Sequence, residues 1–549
     1  MSDVRIIALG GAGEIGKNCT VIEQGDDIVV VDCGLSFPNE EMLGVDIVIP
    51  DFTYLVQNKD RVRGVFLTHA HEDHVGGLPW LLQQMRVPIY GSELTLLMVR
   101  NKLEERHNMR DVDLREFRFG EIVEAGSMSV EPIRVTHSIP ESGAMAVRTG
   151  HGIVLVTGDF RFDFSPVDGK LSNIGRLGEL GKEGVVALLS DTTNVERPGW
   201  GPSESEVSEG LRQVFSEAAG RVLLTTFSSN IHRMQQVYSV AAETGRKVAV
   251  VGRRMETVVD ICSRFGYLQI DRGVRIRLDE MNKFPDSQIA ILTTGSQGEP
   301  MSALVQMSKG EYGRLQIRPG DTVIYSARPI PGNEAAIWRT VNRLFRLGAE
   351  VVYEHYPSPV HVSGHAYQEE LKMMINLTRP YYVVPVHGEP RHQRLYAKIA
   401  KKMGWPDHRI FVLEDGLPLV IEETQARFGE KVPSGRVLVD FGGTPGVTDE
   451  VLRDRSNLSR DGIVTVTVAI DPEAGDFVGD PIIQAKGFHD PGGVLESATE
   501  VLADGLAGID PAEFRDVDKI RHQTGDLVRR YIQKRTQLRP LVLPTVVEV

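Results

Sequence analysis

The sequence predicts a multidomain α/β and α+β protein: a metal-bearing β-sandwich interrupted by a doubly wound α/β insert and followed by a small α+β domain. Three observations carry this. In roughly the first 200 residues, and again after 350, apolar strand-like runs end on His or Asp. Between 201 and 350, buried-type strands alternate with helices, the pattern of a parallel sheet. From 434 onward, apolar strands and two helices occur without a catalytic cluster. The 549 residues exceed one ordinary core and imply two to four domains.

Val4–Leu9 reads as the first strand. Gly11, Gly13 and Gly16 behind it fit a dinucleotide fingerprint, and Gly11, Gly16 and Lys17 fit the start of a phosphate loop. Both patterns need a helix next. A hairpin follows instead, Cys19–Glu23 and Ile28–Val31, and Asn18 stands where a phosphate loop has Ser or Thr. The glycines therefore read as a tight turn near the metal centre. Residues 35 to 63, with Phe52 to Leu55, form a long connection.

The stretch 64–77, GVFLTHAHEDHVGG, holds the densest chemistry. A buried strand, Val65–Leu67, is followed by His69, His71, Asp73 and His74. Imidazole and carboxylate suit zinc, and also manganese or iron. On an extended loop His69, His71 and Asp73 share a side and His74 turns away, which can divide the ligands between two neighbouring ions. Leu78–Gln84 is the helix behind this loop, Pro88–Gly91 a strand, and Ser92 the cap of the helix from Glu93. Ile133–Ser138 is a strand ending on His137, and Ile153–Asp159 a strand ending on Asp159. Taken alone, His137 could be a rim histidine and Asp159 a turn residue.

In the insert, Ser203–Ala219 reads as a helix and Val222–Phe227 as a strand, with Ser228, Ser229 and Asn230 opening a helix. Val248–Arg254 is a strand ending on Arg253 and Arg254, with Met255 beginning a helix. A helix N-terminus with hydroxyls, beside arginines that can grip an anion bidentately, suits a phosphate. A plain helix cap and surface charges would produce the same letters. Ile289–Thr293 and Thr322–Ser326 are further strands, and Asn333–Phe345 is helical. After the insert come His361, Val362, Ser363, Gly364 and His365, a helix from Gln368, and the strand Tyr381–Val386 ending on His387. The boundaries expected are 1–200 and 351–420 for the metal-bearing domain, 201–350 for the insert, 421–433 for a linker and 434–549 for the terminal domain.

Hydrophobic content of 41% and charged content of 25% are ordinary for a globular chain. No apolar run reaches membrane-spanning length, and the N-terminus lacks a signal-peptide layout, so no membrane is expected. The three cysteines, Cys19, Cys33 and Cys262, read as reduced, buried residues of a cytoplasmic protein. A net charge of −14 argues mildly against nucleic-acid binding, but a local basic channel or bound cations can override it.

His69-x-His71-x-Asp73-His74 resembles the signature of the metallo-β-lactamase superfamily. Asp191 in Leu-Ser-Asp-Thr, His365 in Ser-Gly-His and His387 in Val-His-Gly resemble the added motifs of its β-CASP branch. The opening stretch from Ala8 to Asn18 and the stretch Pro50–Leu55 resemble the ribonuclease J family over nearly the whole chain. The resemblance implies an αββα sandwich with a β-CASP insert. It also implies a two-metal ribonuclease acting on single-stranded RNA as 5′-to-3′ exonuclease and endonuclease, favouring 5′-monophosphate ends, in RNA maturation and decay.

By this resemblance two Zn2+ ions, with Mn2+ as the alternative, are held by His69, His71 and His137 on one side and by Asp73, His74 and His387 on the other, with Asp159 shared. Such a pair lowers the pKa of a water and clamps a phosphoryl oxygen. Asp73 orients the attacking water or takes its proton; His365 holds the scissile phosphate and protonates the leaving oxygen. His361 to His365, and the insert residues Ser228, Ser229, Asn230, Arg253 and Arg254, are the expected RNA-binding positions. The terminal domain implies a homodimer or homotetramer, with other RNA-decay proteins as further partners. Asp46 and Asp440 are a candidate structural Ca2+ site, with two solvated acids as the alternative. Competing expectations are another hydrolase of the superfamily, of lactonase or thioesterase type, and a non-catalytic RNA-binding scaffold.

Overall fold

The computed structural model describes residues 2–39, 41–105, 111–330, 332–353, 355–356, 358–423 and 425–549. The chain divides into two compact units, Met1–Phe37 with Val48–Val437, and Pro38–Ile47 with Leu438–Val549.

Two sheets form the framework of the first unit. One has eight strands and runs from Ala426–Phe428 through Leu419–Ile421, Val4–Gly10, Cys19–Gln24, Asp27–Val31, Val62–Phe66 and Ile89–Gly91 to Leu114–Glu116. The other has six strands in the order Tyr382–Val386, Val185–Asp191, Gly152–Val156, Gly143–Thr149, Met128–Arg134, Val123–Ala125. Strand alternation sends Ile6, Val29 and Phe66 from the first sheet and Val147, Val154 and Leu189 from the second into one shared core. On the second sheet's other face, Leu155, Leu188 and Val383 pack with Leu177, Met374 and Tyr396 from three helices. This is the expected αββα arrangement.

The insert is a six-stranded, wholly parallel sheet. Val222 and Leu224 face one core while Leu223 faces the other. Burial on both faces is why these strands are apolar throughout instead of alternating.

Several local expectations change. Residues Thr53–Gln57 form a short helix inside the supposed connection. Ser92 occupies the N-cap position without a capping bond; its hydroxyl donates to Thr95, and Glu141 accepts the Leu94 N–H instead. Arg253 and Arg254 open the helix Arg253–Arg264 and do not end a strand, because Gly252 at φ 116° turns the chain after Val251. The helix after the insert begins at Gln368, as expected, which leaves Ser363 and Gly364 in the loop before it.

In the second unit, Ile463–Asp471 is flanked by Ile482–Lys486 and by Leu541–Glu548. Val464, Val466, Leu502, Val528 and Ile532 form its core. A third helix, Asp449–Asp461, joins the two expected; it buries no residue fully, and its Val451 and Leu458, seven residues apart, are exposed. Cys19, Cys33 and Cys262 are all buried and unpaired.

Candidate metal centre

Strand ends bring the ligands together. The strand Val62–Phe66 delivers Leu67, Thr68 and His69, and a helical turn from Glu72 to Val75 follows at once. That turn stays in place because the neighbouring chain comes very close. A side chain at Gly34 would put its Cβ 1.6 Å from the Asp73 carbonyl oxygen, so only glycine fits. Lys17 and Gly34 lie beside it, and Asn18 donates from backbone and side chain to the Asp73 carbonyl. The glycine turn thus belongs to the metal centre, as expected. It also reaches the far side: the His387 N–H donates to the Gly11 carbonyl at 2.7 Å.

Three overlapping four-membered sets result, His69–His71–His137–Asp159, Asp73–His74–Asp159–His387 and Asp159–Asp191–His365–His387, with Asp159 common to all; the first two are the pair the sequence leads one to expect. Tetrahedral ligands at about 2.0–2.2 Å from zinc stand roughly 3.3–3.6 Å apart. In the first set Asp159 Oδ2 is 3.7 Å from His69 Nε2 and 3.6 Å from His137 Nε2, and His137 Nε2 is 3.1 Å from His71 Nδ1. In the second, Asp73 Oδ2 is 3.6 Å from His74 Nε2 and 3.3 Å from His387 Nε2; Asp159 Oδ1 is 3.2 Å from His74 Nε2 and 2.8 Å from His387 Nδ1. His69 Nε2 is buried without a hydrogen-bond partner, while Asp159 Oδ1 and the His387 nitrogens meet only one another, Asp73, His74 and Asp191. Buried polar atoms left that way are costly, and a cation between them removes the cost.

The protonation pattern agrees. Burial holds His69 and His137 well below the ordinary imidazole value and takes His71 down to about 4, so their lone pairs are free for a metal. Burial opposes charge on His74 and His387 too. There the Asp159 carboxylate and its acidic neighbours win, raising His74 well above its usual value and His387 to about 10. In the protein without ions, protons on these two rings neutralise Asp73 and Asp159. Metal binding must displace them.

A second layer fixes the ligands. Asp32 accepts from His74 Nδ1 at 2.8 Å and from the Thr68 N–H and hydroxyl. His137 Nδ1 donates to the Gly364 carbonyl at 2.8 Å, and a Cβ on Gly364 would lie 2.6 Å from the same ring. His365 Nδ1 pairs with Asp191 at 2.8 Å. Burial opposes its proton, but Asp191 and Asp159 raise its pKa. Ser363 is tied down by Asn194 to its hydroxyl and by Arg161 to its carbonyl. The sequence reading gave no role to Asp32, whose only signal is an acid at the end of an apolar strand. It noted Asp191 as a motif without seeing that it holds His365.

Other expected positions are placed differently. Val362 is 1% exposed and packs in the insert's core, so only its backbone is available. His361 keeps a buried Nδ1 without a partner. Asn230, not Ser228, caps the helix Ile231–Glu243 by accepting the Arg233 N–H, leaving Ser228 and Ser229 in the loop before it. Arg254 reaches out of the insert to Glu72, inside the metal loop, at 2.6 Å, and Lys102 takes the other Glu72 oxygen. Burial would raise the Glu72 carboxyl; the two cations hold it at about 2. Among the described residues Arg253 makes no comparable ion pair. Asp440 spends an oxygen on the Thr444 N–H, and among the described residues neither it nor Asp46 joins a group of three or more metal-ligating side chains. No helix among the described residues is long and apolar enough to cross a membrane.

Comparison with known proteins follows the same division. Family models match at residues 12–195 (metallo-beta-lactamase superfamily), 219–344 (ribonuclease J, beta-CASP domain), 358–410 (Zn-dependent metallo-hydrolase RNA specificity domain) and 450–549 (ribonuclease J C-terminal domain). The chain is 40% identical to ribonuclease J2 of Bacillus subtilis (strain 168), over 100% of this chain and 99% of that one. It is 42% identical to ribonuclease J of Thermus thermophilus, over 99% and 95%. A solved structure of a protein of unknown function from Enterococcus faecalis V583 matches its fold with a TM-score of 0.55 at 18% identity, over 76% of this chain and 100% of that one.

Proposed function

The chain belongs to the ribonuclease J family and is a metal-dependent ribonuclease, and on that premise we propose that it cleaves single-stranded RNA both stepwise from a 5′-monophosphate end and internally, at one centre of two zinc or manganese ions. The observation that carries this reading is the buried Asp159 shared by two complete ligand sets, with His365 beside it. His69, His71 and His137 would hold one ion; Asp73, His74 and His387 the other. Such a pair supplies Lewis acidity toward a phosphoryl oxygen and lowers the pKa of an attacking water.

The chain's own groups do the rest. Asp73, with its side chain 30% exposed, stays ionised although burial opposes it, because His74 and His387 face it. It can orient the water and accept its proton. His365, with its side chain 21% exposed, has its proton favoured by Asp191 and Asp159 against burial, and can give a proton to the leaving oxygen. The tethered Ser363–Gly364 backbone keeps His365 at fixed range from His137 and so from the scissile phosphate. The loop Ser228–Asn230 lies on the insert and would receive the 5′ phosphate. A homodimer or homotetramer built through the terminal unit, and action in the cytoplasm, complete the proposal. The buried, unpaired thiols support the second point.

The test is digestion of matched 5′-monophosphate and 5′-triphosphate RNAs with defined metals, reading product sizes. Mononucleotides from the monophosphate substrate and internal fragments from both are expected. His365→Ala should slow both modes by roughly 10²–10⁴-fold, the usual contribution of a general acid. Unchanged rates in that variant would remove its catalytic role. The lactonase or thioesterase reading and the relict-scaffold reading have no support left, given the beta-CASP match and the complete ligand set.

A further inference from the structure

The parallel strands Val185–Asp191 and Tyr382–Val386 carry Asp191 and His387 at their carboxyl ends. At their amino ends, about 20 Å away by strand rise, lies a cavity of about 430 Å3. Arg379, Tyr381, Met403, Trp405 and Arg409 are its chemically distinctive walls, and none of its lining residues is acidic. In a chain of net charge −14 that is a local reversal of sign. The Arg409 guanidinium lies 3.9 Å over the Tyr381 ring, while its buried Nε has no hydrogen-bond partner. Tyr381 is 44% exposed. Trp405 is braced by its indole N–H to the Pro380 carbonyl at 2.8 Å. Arg379 stands at φ 41° after the helix Gln368–Thr378 and makes no side-chain ion pair among the described residues.

We propose that this cavity is an accessory nucleotide site that takes one nucleoside monophosphate unit, its base against Tyr381 and Trp405 and its phosphate between Arg379 and Arg409. Aromatic faces accept any base, and guanidinium forks match phosphate oxygens. The volume suits a single nucleotide and is too small for a duplex. The unit is one link of a bound RNA strand or a free product nucleotide. In the first case the site holds the body of a long substrate while its end is cut at the metals. This source of ligand rests on the ribonuclease reading; the cavity's chemistry does not.

The experiment uses the full-length, metal-loaded enzyme with Tyr381→Ala and Arg379→Gly, the latter keeping a residue that tolerates the positive φ. Three quantities are read: UMP bound per chain by equilibrium dialysis, and KM and kcat for a long single-stranded RNA and for a dinucleotide that cannot span the distance. For a strand-holding site, both variants raise KM for the long RNA roughly five- to tenfold, in keeping with the loss of one base stack. Dinucleotide KM and both kcat values stay put. Loss of one bound UMP per chain with unchanged KM values assigns the site to the free nucleotide. Unchanged UMP binding together with unchanged KM values, or an equal rise in KM for both substrates, overturns the proposal. Wild-type turnover of either substrate upholds the ribonuclease reading whatever the cavity does.

Discussion

The metal centre and the insert loops proposed to take the 5′ phosphate rest on opposite kinds of construction. At the metal centre every ligand but His71 and Asp73 is buried, and three have a second partner: Asp32 for His74, the Gly364 carbonyl for His137, Thr68 for His69. On the insert, Ser228 and Ser229 sit in a half-exposed loop, Arg253 is exposed, and Arg254 is turned toward Glu72. The first region is organised before any ligand arrives. The second has donors within reach of an anion but little that fixes them. A substitution should therefore cost most where removal leaves buried partners unmatched, and least where a solvated group is lost.

The largest effect is expected at Asp159. It is the carboxylate both ligand sets share, so Asp159→Ala should strip bound metal and lower RNA cleavage on the order of a thousandfold, several kcal/mol of lost stabilisation. Metal analysis beside a cleavage assay measures both. Two equivalents of metal retained by this variant would break the shared-ligand arrangement, and with it the contrast between the regions.

Next comes Asp32, which touches no substrate. Asp32→Ala frees His74 Nδ1 and orphans the Thr68 N–H. Loss of such a partner typically costs roughly 10–100-fold in metal affinity or activity. Competition with a chelator gives the affinity directly. An unchanged value would mean that the remaining contacts of His74, to Thr68, Asn18, Asp73 and Asp159, hold it well enough without Asp32.

Legibility in the sequence follows the same contrast. His69, His71, Asp73 and His74 fall in one short segment behind an apolar strand, so spacing alone declares them. His137, Asp159 and His387 end or follow other strands and were readable as rim residues, though the irregular residues between strand and ligand were not. Asp32 was invisible because its role exists only when Asp27–Val31 and Val62–Phe66 pair side by side. Arg254 was misread for a related reason. Nothing local tells that the strand ends at Val251, three residues early, or that Glu72, distant in sequence, stands opposite. The two sheets and the doubly wound insert were legible from apolar runs. The helix Asp449–Asp461, which buries no residue fully, could not be.

A stability measurement sharpens the electrostatic side. His74 and His387 have raised pKa values in the metal-free protein, His387 at about 10. Protons on them stabilise the fold fully below the unfolded imidazole value near 6.5. That contribution is lost as pH rises toward about 10. His69, His71 and His137 have lowered values, with His71 at about 4, so the fold also loses stability as pH falls from about 6.5 toward 4, where the unfolded chain takes up protons first. Thermal unfolding of chelator-treated protein should show its highest Tm near pH 6–7. Metal-loaded protein should lack the alkaline decline, because the ions replace the protons. A chelated sample with a flat profile from pH 7 to 10 would mean that His74 and His387 are neutral.

The smallest effect is expected where the two regions meet. Glu72 sits between the ligands His71 and Asp73, and Arg254 holds it from the insert with a side chain 58% exposed. A pair this open contributes on the order of 0.2–1 kcal/mol, a change of a few-fold at most. Arg254→Ala should therefore lower kcat only slightly and leave metal content at two equivalents. Ser229→Ala should slow exonuclease cutting of 5′-monophosphate RNA a few-fold while sparing internal cutting. The two readouts separate the residues. If Arg254 served the RNA 5′ phosphate, its loss would mimic Ser229→Ala and erase the monophosphate preference. If it only steadies the metal loop, exonuclease and endonuclease rates should fall together. A double-mutant cycle should then show Arg254→Ala adding little once Glu72→Gln is in place, because the carboxylate that Arg254 and Lys102 both pair with is already gone.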